Sequence, residues 1–299
     1  MRTPFTGVGT ALITPFTQNG DLDEAAVRRL ARRQVEAGVH FLCPCGTTGE
    51  NPTLTAAERL RVIEIVVEES KGKAPVLAGA GGYDTRELIE TAGEMARRGV
   101  SGFLSVTPYY NKPTQEGLYQ HYRAFAESTP LPIIVYNVPG RTGVNVEAAT
   151  LSRLAQIPNI VGVKEASGNV PQMCEIVRAV PADFLVLSGD DALTLPLMAV
   201  GGRGIISVAG NEIPAEMVQM VEVAERNDFA AARAIHARIM PLMSINFVES
   251  NPQPVKAAMA AMGLVDEIFR LPMVPPAAAS KEKIGSVLKE LGLLKGALV

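Results

Sequence analysis

The chain has 299 residues, 47% of them hydrophobic and 20% charged, enough to build a packed core and too apolar for disorder. Its 28 basic and 31 acidic side chains give a formal net charge of −3; with no basic excess to grip phosphodiester backbones, the balance argues against nucleic acid as a partner and toward small-molecule chemistry. At this length, two compact domains or one large barrel are the available architectures.

The three cysteines, Cys43, Cys45 and Cys174, are few for a secreted chain and read as reduced thiols of a cytoplasmic protein. Cys43 and Cys45 form C-x-C inside an apolar run and are expected to be small strand hydrophobes. Between Met1 and Leu12 no basic stretch precedes a long apolar one, and nowhere do about 18 apolar residues run uninterrupted. The expectation is a soluble, cytoplasmic protein with no membrane partner.

Along the chain, short β-branched runs alternate with segments of helical period, the mark of βα units. A strand at Val8 to Thr14 is followed by a helix at Asp23 to Ala37, a strand at His40 to Cys45 and a helix at Thr55 to Ser70. In that helix Leu60, Ile63, Val66 and Val67 form an apolar stripe with Arg59, Arg61 and Glu68 outside it, and Thr55 with Glu58 reads as a capping box. Next come a strand at Pro75 to Ala80, a helix at Thr85 to Arg98 preceded by Asp84, a strand at Gly102 to Thr107 and a helix at Gln115 to Ser128. The fifth strand spans Pro132 to Asn137, with a helix at Val146 to Leu154 after it. Ile160 to Lys164, Phe184 to Ser188 and Gly204 to Val208 complete eight strands. Gly38, Gly99 and the Gly201 and Gly202 pair fall where elements end and positive φ is expected.

Eight strands with helices between them fit a closed (β/α)₈ barrel, which uses about 250 residues and leaves a C-terminal surplus. The surplus is helical, with segments at Phe229 to Leu242, Gln253 to Met262 and Lys281 to Leu294, the last after a Pro275, Pro276, Ala277 to Ala279 connection. The division expected is a barrel over residues 1–227 carrying the active site and a helical appendix over 228–299.

Active sites of such barrels lie at the C-terminal ends of the strands, so the polar residues ending strands are the candidates. Lys164 closes an otherwise apolar strand, where lysine is costly without a purpose. Alternation places Ile160, Gly162 and Lys164 on one face, with Gly162 leaving room beneath the lysine stem. A desolvated lysine is a usable nucleophile toward a carbonyl; the plain alternative is a lysine paired with Glu165. Tyr136 ends the neighbouring strand, and its phenol can both donate and accept a proton. Arg141, in a Pro-Gly-Arg-Thr-Gly turn, can aim a guanidinium at a carboxylate. Thr47 and Thr48 lie in a glycine-flanked turn whose hydroxyls and N–H groups suit a carboxylate. The glycine cluster at Gly79 to Gly82 matches neither nucleotide-binding pattern. Asp190 and Asp191 lack histidines at ligand spacing, so metal catalysis is not expected.

Taken together, Gly46-Thr47-Thr48-Gly49-Glu50, Tyr136-Asn137-Val138-Pro139-Gly140-Arg141-Thr142-Gly143 and Gly162-Val163-Lys164-Glu165-Ala166 resemble the dihydrodipicolinate synthase family, in the pyruvate-dependent lyase superfamily that includes N-acetylneuraminate lyase. The likeness runs from about Gly7 to Leu271. It implies a lyase acting by class I aldolase-type condensation, in which Lys164 forms a Schiff base with pyruvate and the derived enamine attacks L-aspartate-4-semialdehyde. No added cofactor or metal is implied. By the same match Tyr136, Thr47 and Tyr110 form a proton relay, with Tyr110 reaching in from a neighbouring subunit. Thr48 meets the pyruvate carboxylate, Arg141 holds the semialdehyde carboxylate, and Gly189 and Ile206 line the site with their backbones. Asn251 matches a C-terminal motif and receives no role. A homotetramer built from two tight dimers is implied.

Two other readings compete: a pyruvate-releasing aldolase or dehydratase of 2-keto-3-deoxy sugar acids on the same Schiff-base scaffold, and a non-catalytic ligand-binding barrel. Arg141 favours a carboxylated aldehyde over a neutral sugar. Ala56, Arg59 and Tyr83 depart from the residues of lysine-inhibited members, so feedback by lysine is expected to be weak or absent.

Overall fold

A computed structural model describes residues 4–294; residues 1–3 and 295–299, and with them the start of the segment from Met1 to Leu12, lie outside the described residues. Among the described residues, eight parallel strands follow one another: β1 (Gly7–Ala11), β2 (Phe41–Cys43), β3 (Leu77–Gly79), β4 (Gly102–Val106), β5 (Ile133–Asn137), β6 (Ile160–Glu165), β7 (Leu185–Ser188) and β8 (Gly204–Ser207). Each pairs with its sequence neighbour, β1 pairs with β8, and a parallel bridge from Leu42 to Val76 joins β2 to β3 and closes the ring. The expected (β/α)₈ barrel is therefore present, with strands generally shorter than the apolar runs that announced them.

The helices are α1 (Glu24–Glu36), α2 (Ala56–Ser70), α3 (Thr85–Ala96), α4 (Gln115–Glu127), α5 (Pro139–Thr142), α6 (Ala148–Leu154), α7 (Val170–Ala179), α8 (Thr194–Ala199), α9 (Pro214–Glu225), α10 (Phe229–Ile245), α11 (Gln253–Ala261) and α12 (Ala278–Glu290). Local signals set their starts. Thr55 and Glu58 form the reciprocal capping box of α2, and Asp84 accepts from Arg86 N and Glu87 N to start α3. The Ala-rich connection is shorter than expected, since Ala278 and Ala279 enter α12; alanine resists helix formation least of all residues. Gly38, Gly99 and Gly201 have the expected positive φ, but Gly202 does not. A side chain at Gly202 would instead strike the Leu197 backbone, so close approach is what requires glycine there.

Strand alternation divides the core in two. Phe41, Cys43, Leu104, Ile134, Tyr136 and Leu187 fill the barrel, while Leu42, Phe103, Val135, Val163 and Val186 face the helices. On β6 the expected alternation is corrected. The register against β5 jumps from Ile133↔Ile160 to Ile134↔Gly162, so the strand bulges at Val161. Ile160 therefore packs with the helices and Val161 toward the interior, before Val163 turns outward again and Lys164 inward. A Cβ on Gly162 would lie 2.7 Å from the Leu185 carbonyl oxygen, so this glycine lets β6 lie against β7 rather than making room for the lysine stem.

The C-terminal helices pack onto the barrel: α10 lies along α8 and α9, and α12 along α10 and α11. A fully buried ion pair, Lys256 Nζ to Glu50 Oε1 at 2.6 Å, ties α11 to the loop after β2. The Lys256 ammonium also sits 4.2 Å from the Phe16 ring centroid. Burial pushes its pKa below the ordinary lysine value, while Glu50 opposes the shift. Removing one partner of such a pair strands the other charge. Lys256→Met is thus expected to cost about 3–5 kcal/mol of unfolding free energy in a urea titration, and adding Glu50→Gln to the same chain should restore much of the loss.

Candidate active site

Lys164 and Tyr136 end adjacent strands and are register partners. Both are buried, at 5% and 7% exposure, and the lysine Nζ stands 4.4 Å from the centroid of the Tyr136 ring. The pairing with Glu165 does not occur. Glu165 faces the other side of β6, where Oε2 accepts from Asn137 Nδ2 at 2.9 Å and Oε1 accepts from Ser167 N at 2.8 Å. Among the described residues, no carboxylate lies within ion-pair distance of Lys164.

Gly189, just past β7, makes the lysine's position possible. A Cβ there would fall 3.0 Å from Lys164 Cε and 2.6 Å from Ala166 Cβ. Ile206 is fully buried in the barrel interior on β8. Below the lysine lies Cys43, whose thiol is pushed up to about 12 by burial, with the lysine's charge opposing the shift. Cys45 is likewise raised to about 12, again chiefly by burial. It is buried as expected but lies beyond β2, with φ 59°.

The loop after β2 is a run of tight turns, with Gly49 N donating to Gly46 O and Glu50 N to Thr47 O. Thr14 Oγ1 donates to Gly49 O at 2.7 Å and pins the loop to the segment that follows β1. Thr47 remains half-buried at the mouth, and Thr48 is buried beneath it. Arg141 projects from α5, a single turn started by Pro139 and ended by Gly143 at φ 70°. Its Nη2 donates to Asn251 O at 3.0 Å.

These groups line one mouth. A recess of about 110 Å³ holds Lys164, Gly189 and Thr48, and a wider cavity of about 340 Å³ opens over Gly79 to Gly81 and Pro272; Thr47, Tyr136, Arg141 and Asn251 line both. The two aspartates after β7 are occupied by structure. Asp190 caps Ala192 N, while the buried Asp191 accepts from Ser207 Oγ, Val208 N and Ala209 N and so fixes the end of β8. Burial raises the pKa of Asp191, against those hydrogen bonds.

Two expected site residues line neither recess: Ile206, enclosed within the barrel, and Tyr110. Tyr110 is 89% exposed, with φ 71°, and points away from its own barrel. Arg59 and Tyr83, which the family likeness ties to regulation, line an adjoining cavity of about 210 Å³ together with Glu87, and Tyr109 and Gly79 to Gly81 border both it and the wider cavity. Ala56 is exposed at the start of α2. Glu50, Lys256 and Asn251 stand at or behind the mouth although sequence reasoning assigns them no part in it. For Lys256 a signal existed, a lone charge within the apolar run Pro254-Val255-Lys256-Ala257-Ala258. For Asn251 the family likeness marked the position but gave it no role, since its partners Arg141 and Thr48 are remote in sequence.

Fold and mouth together define a (β/α)₈ barrel with an amine, a phenol and a guanidinium converging at its C-terminal face. The family profile of the dihydrodipicolinate synthetase family matches residues 4–291, and the chain belongs to that family. It is 53% identical to the 4-hydroxy-tetrahydrodipicolinate synthase of Koribacter versatilis over 98% of both chains, and 49% identical to that of Chlorobium chlorochromatii over 98% of this chain and 100% of that one. Among solved structures it superposes on the Thermotoga maritima dihydrodipicolinate synthase with TM-score 0.95 at 46% identity, covering 97% and 99% of the two chains. The Acinetobacter baumannii enzyme, solved in complex with pyruvate, gives TM-score 0.95 at 42% identity over 97% and 99%. A monomeric dihydrodipicolinate synthase variant gives 0.96 at 45% over 97% and 98%.

The burial pattern makes the thiols distinguishable. Cys43 and Cys45 are buried and Cys174 is exposed, so at pH 8 the first two are inaccessible and held as thiols. Iodoacetamide on the native protein should label Cys174 alone, with labelling of all three only after unfolding, as read by peptide mass spectrometry.

Proposed function

We propose that this chain is a lyase that condenses pyruvate with L-aspartate-4-semialdehyde, the 4-hydroxy-tetrahydrodipicolinate synthase reaction of diaminopimelate and lysine biosynthesis. The observation that carries the reading is the buried Lys164 amine, with no carboxylate at ion-pair distance among the described residues and stacked over Tyr136, at the mouth of a barrel of this family. The Lys164 amine adds to the pyruvate ketone and water leaves, giving an iminium that acidifies the methyl group. Loss of a methyl proton yields the enamine, whose carbon attacks the aldehyde and forms the new carbon–carbon bond. The aldehyde oxygen takes up a proton and becomes the hydroxyl. The adduct's own amino group then attacks the imine carbon, closes a six-membered ring and releases Lys164.

In this scheme Tyr136 moves protons at the imine-forming centre, relayed by Thr47 and Tyr110. Thr48 receives the pyruvate carboxylate, and Arg141 that of the semialdehyde. Gly189 and Ile206 present backbone to the adduct. The iminium formed on the lysine is the electron sink, so no added cofactor or metal is invoked. The exposure of Tyr110 supports a second copy completing the site, in a homotetramer made of paired dimers. No helix of the described residues is long and apolar enough to cross a membrane, and the reading places the enzyme in the cytoplasm.

Lys164→Ala should abolish the adduct trapped by borohydride in the presence of pyruvate and slow condensation at least about 10³-fold. Arg141→Ala should keep the trapped adduct and lose about 10²-fold in kcat/KM for the semialdehyde. Wild-type protein that traps pyruvate but cleaves 2-keto-3-deoxy sugar acids faster than it condenses the semialdehyde would move the chain to the sugar-acid branch; no trapping at all would leave a binding barrel.

Mixing inactive variants tests the shared site. In a pair made of one Lys164→Ala chain and one Tyr110→Phe chain, one site keeps Lys164 and receives an intact Tyr110. Activity should therefore reappear on mixing after subunit exchange. If the mixture stays as inactive as its parents although mass measurements show mixed pairs, the tyrosine does not cross between chains.

A further inference from the structure

Asn251 lies between α10 and α11, outside every strand and βα loop of the barrel, yet it touches both groups that the proposed function assigns to substrate carboxylates. Its backbone oxygen accepts from Arg141 Nη2 at 3.0 Å, and its Nδ2 donates to Thr48 Oγ1 at 3.0 Å. It is 4% exposed and lines both recesses of the mouth. Its Oδ1 is buried with no hydrogen-bond partner among the described residues.

The bond to Thr48 has a directional consequence. A hydroxyl has one proton and two acceptor positions. With an amide N–H filling one acceptor position, the Thr48 proton is left to point elsewhere, and the anionic group in the adjoining recess is the natural acceptor. A donor already oriented costs less to recruit than a rotating one. The bond to Arg141 acts likewise on the second substrate, since Asn251 O is the protein acceptor of that guanidinium among the described residues.

The residue that does this is itself held firmly. Two residues on, Gln253 Nε2 donates to Val274 O at 2.6 Å, and five residues on, Lys256 makes the buried pair with Glu50, in the same loop as Thr48. Asn251 is thus fixed to the loop it orients.

Resting on the proposed function, we propose that Asn251 is a positioning residue that turns Thr48 into an obligate hydrogen-bond donor for the pyruvate carboxylate and steadies Arg141 for the carboxylate of the second substrate. Side chain and backbone divide the two roles, so substitutions separate them. Asn251→Ala removes the bond to Thr48 and keeps the backbone oxygen. Asn251→Asp replaces the donor by an acceptor that captures the Thr48 proton and sets a negative charge beside the incoming carboxylate.

The readout is half-saturation of borohydride trapping at Lys164 as pyruvate is varied, which needs no aldehyde. Asn251→Ala should raise that concentration about tenfold, and Asn251→Asp should raise it further. Thr48→Val, which removes the donor itself, should cost at least as much as Asn251→Ala, and the double variant should be no worse than Thr48→Val, because Asn251 acts through that hydroxyl. A structural role alone would let the two effects multiply. Unchanged half-saturation in Asn251→Ala, multiplied effects in the double variant, or an Asn251→Asp chain as good as wild type would each overturn the inference. Wild-type protein that traps no pyruvate would instead overturn the proposed function.

Discussion

A buried amine without a counter-ion is an expensive thing to keep in a fold, and the mouth of this barrel is arranged around one. Every nearby acid is turned elsewhere. Glu165 is held by Asn137 and Ser167, Asp191 by the end of β8, and Glu50 by Lys256. Had any of them reached Lys164, the amine would be paired and poorly nucleophilic. Asp190 lines the same recess but caps Ala192 N, and among the described residues no acid pairs with the lysine, so the mouth offers an arriving carboxylate both a lysine and an arginine. On the proposed reading, pyruvate acts as counter-ion before it acts as electrophile.

The contrast with Lys256 shows what the surroundings decide. Both lysines are buried. Lys256 has a carboxylate at 2.6 Å and two aromatic rings around its ammonium, so it serves as a tether. Lys164 has one aromatic ring, a glycine against its stem and open space ahead. The side chains are the same; the difference lies in whether a partner was built beside the nitrogen.

This also explains how far the sequence could be read. Strand and helix periods are local, so the eight strands, the Thr55 capping box and the placement of Lys164 and Tyr136 on adjacent strand ends were legible. The bulge at Val161 was not, because it arises from packing against β5 and Leu185 on β7 and leaves no mark in an apolar run. Nor was the role of Asn251, whose bond to Thr48 spans 203 residues. Such pairings are set by tertiary closure, which no short window contains. Tyr110 was recognisable only by family likeness, and a single chain shows it facing solvent.

The C-terminal helices look from sequence like a surplus added to a finished barrel, but their contacts say otherwise. Several links join them and the segment that follows α11 to the loop after β2 and to α2, among them Asn251 to Thr48, Lys256 to Glu50, Arg270 to Thr53 O and Arg270 to Glu58 at 2.5 Å. Barrel loops are the mobile part of such a fold, and a carboxylate-binding turn is useful only when its donors hold their direction. The C-terminal region also reaches the segments after β1, β5 and β7, through Arg270 to Gly20 O, Arg141 to Asn251 O and His236 to Ala192 O. The same bracing carries Asn251 to the point between Thr48 and Arg141, so the region farthest along the chain sets the spacing between the two groups that the proposed function assigns to carboxylates.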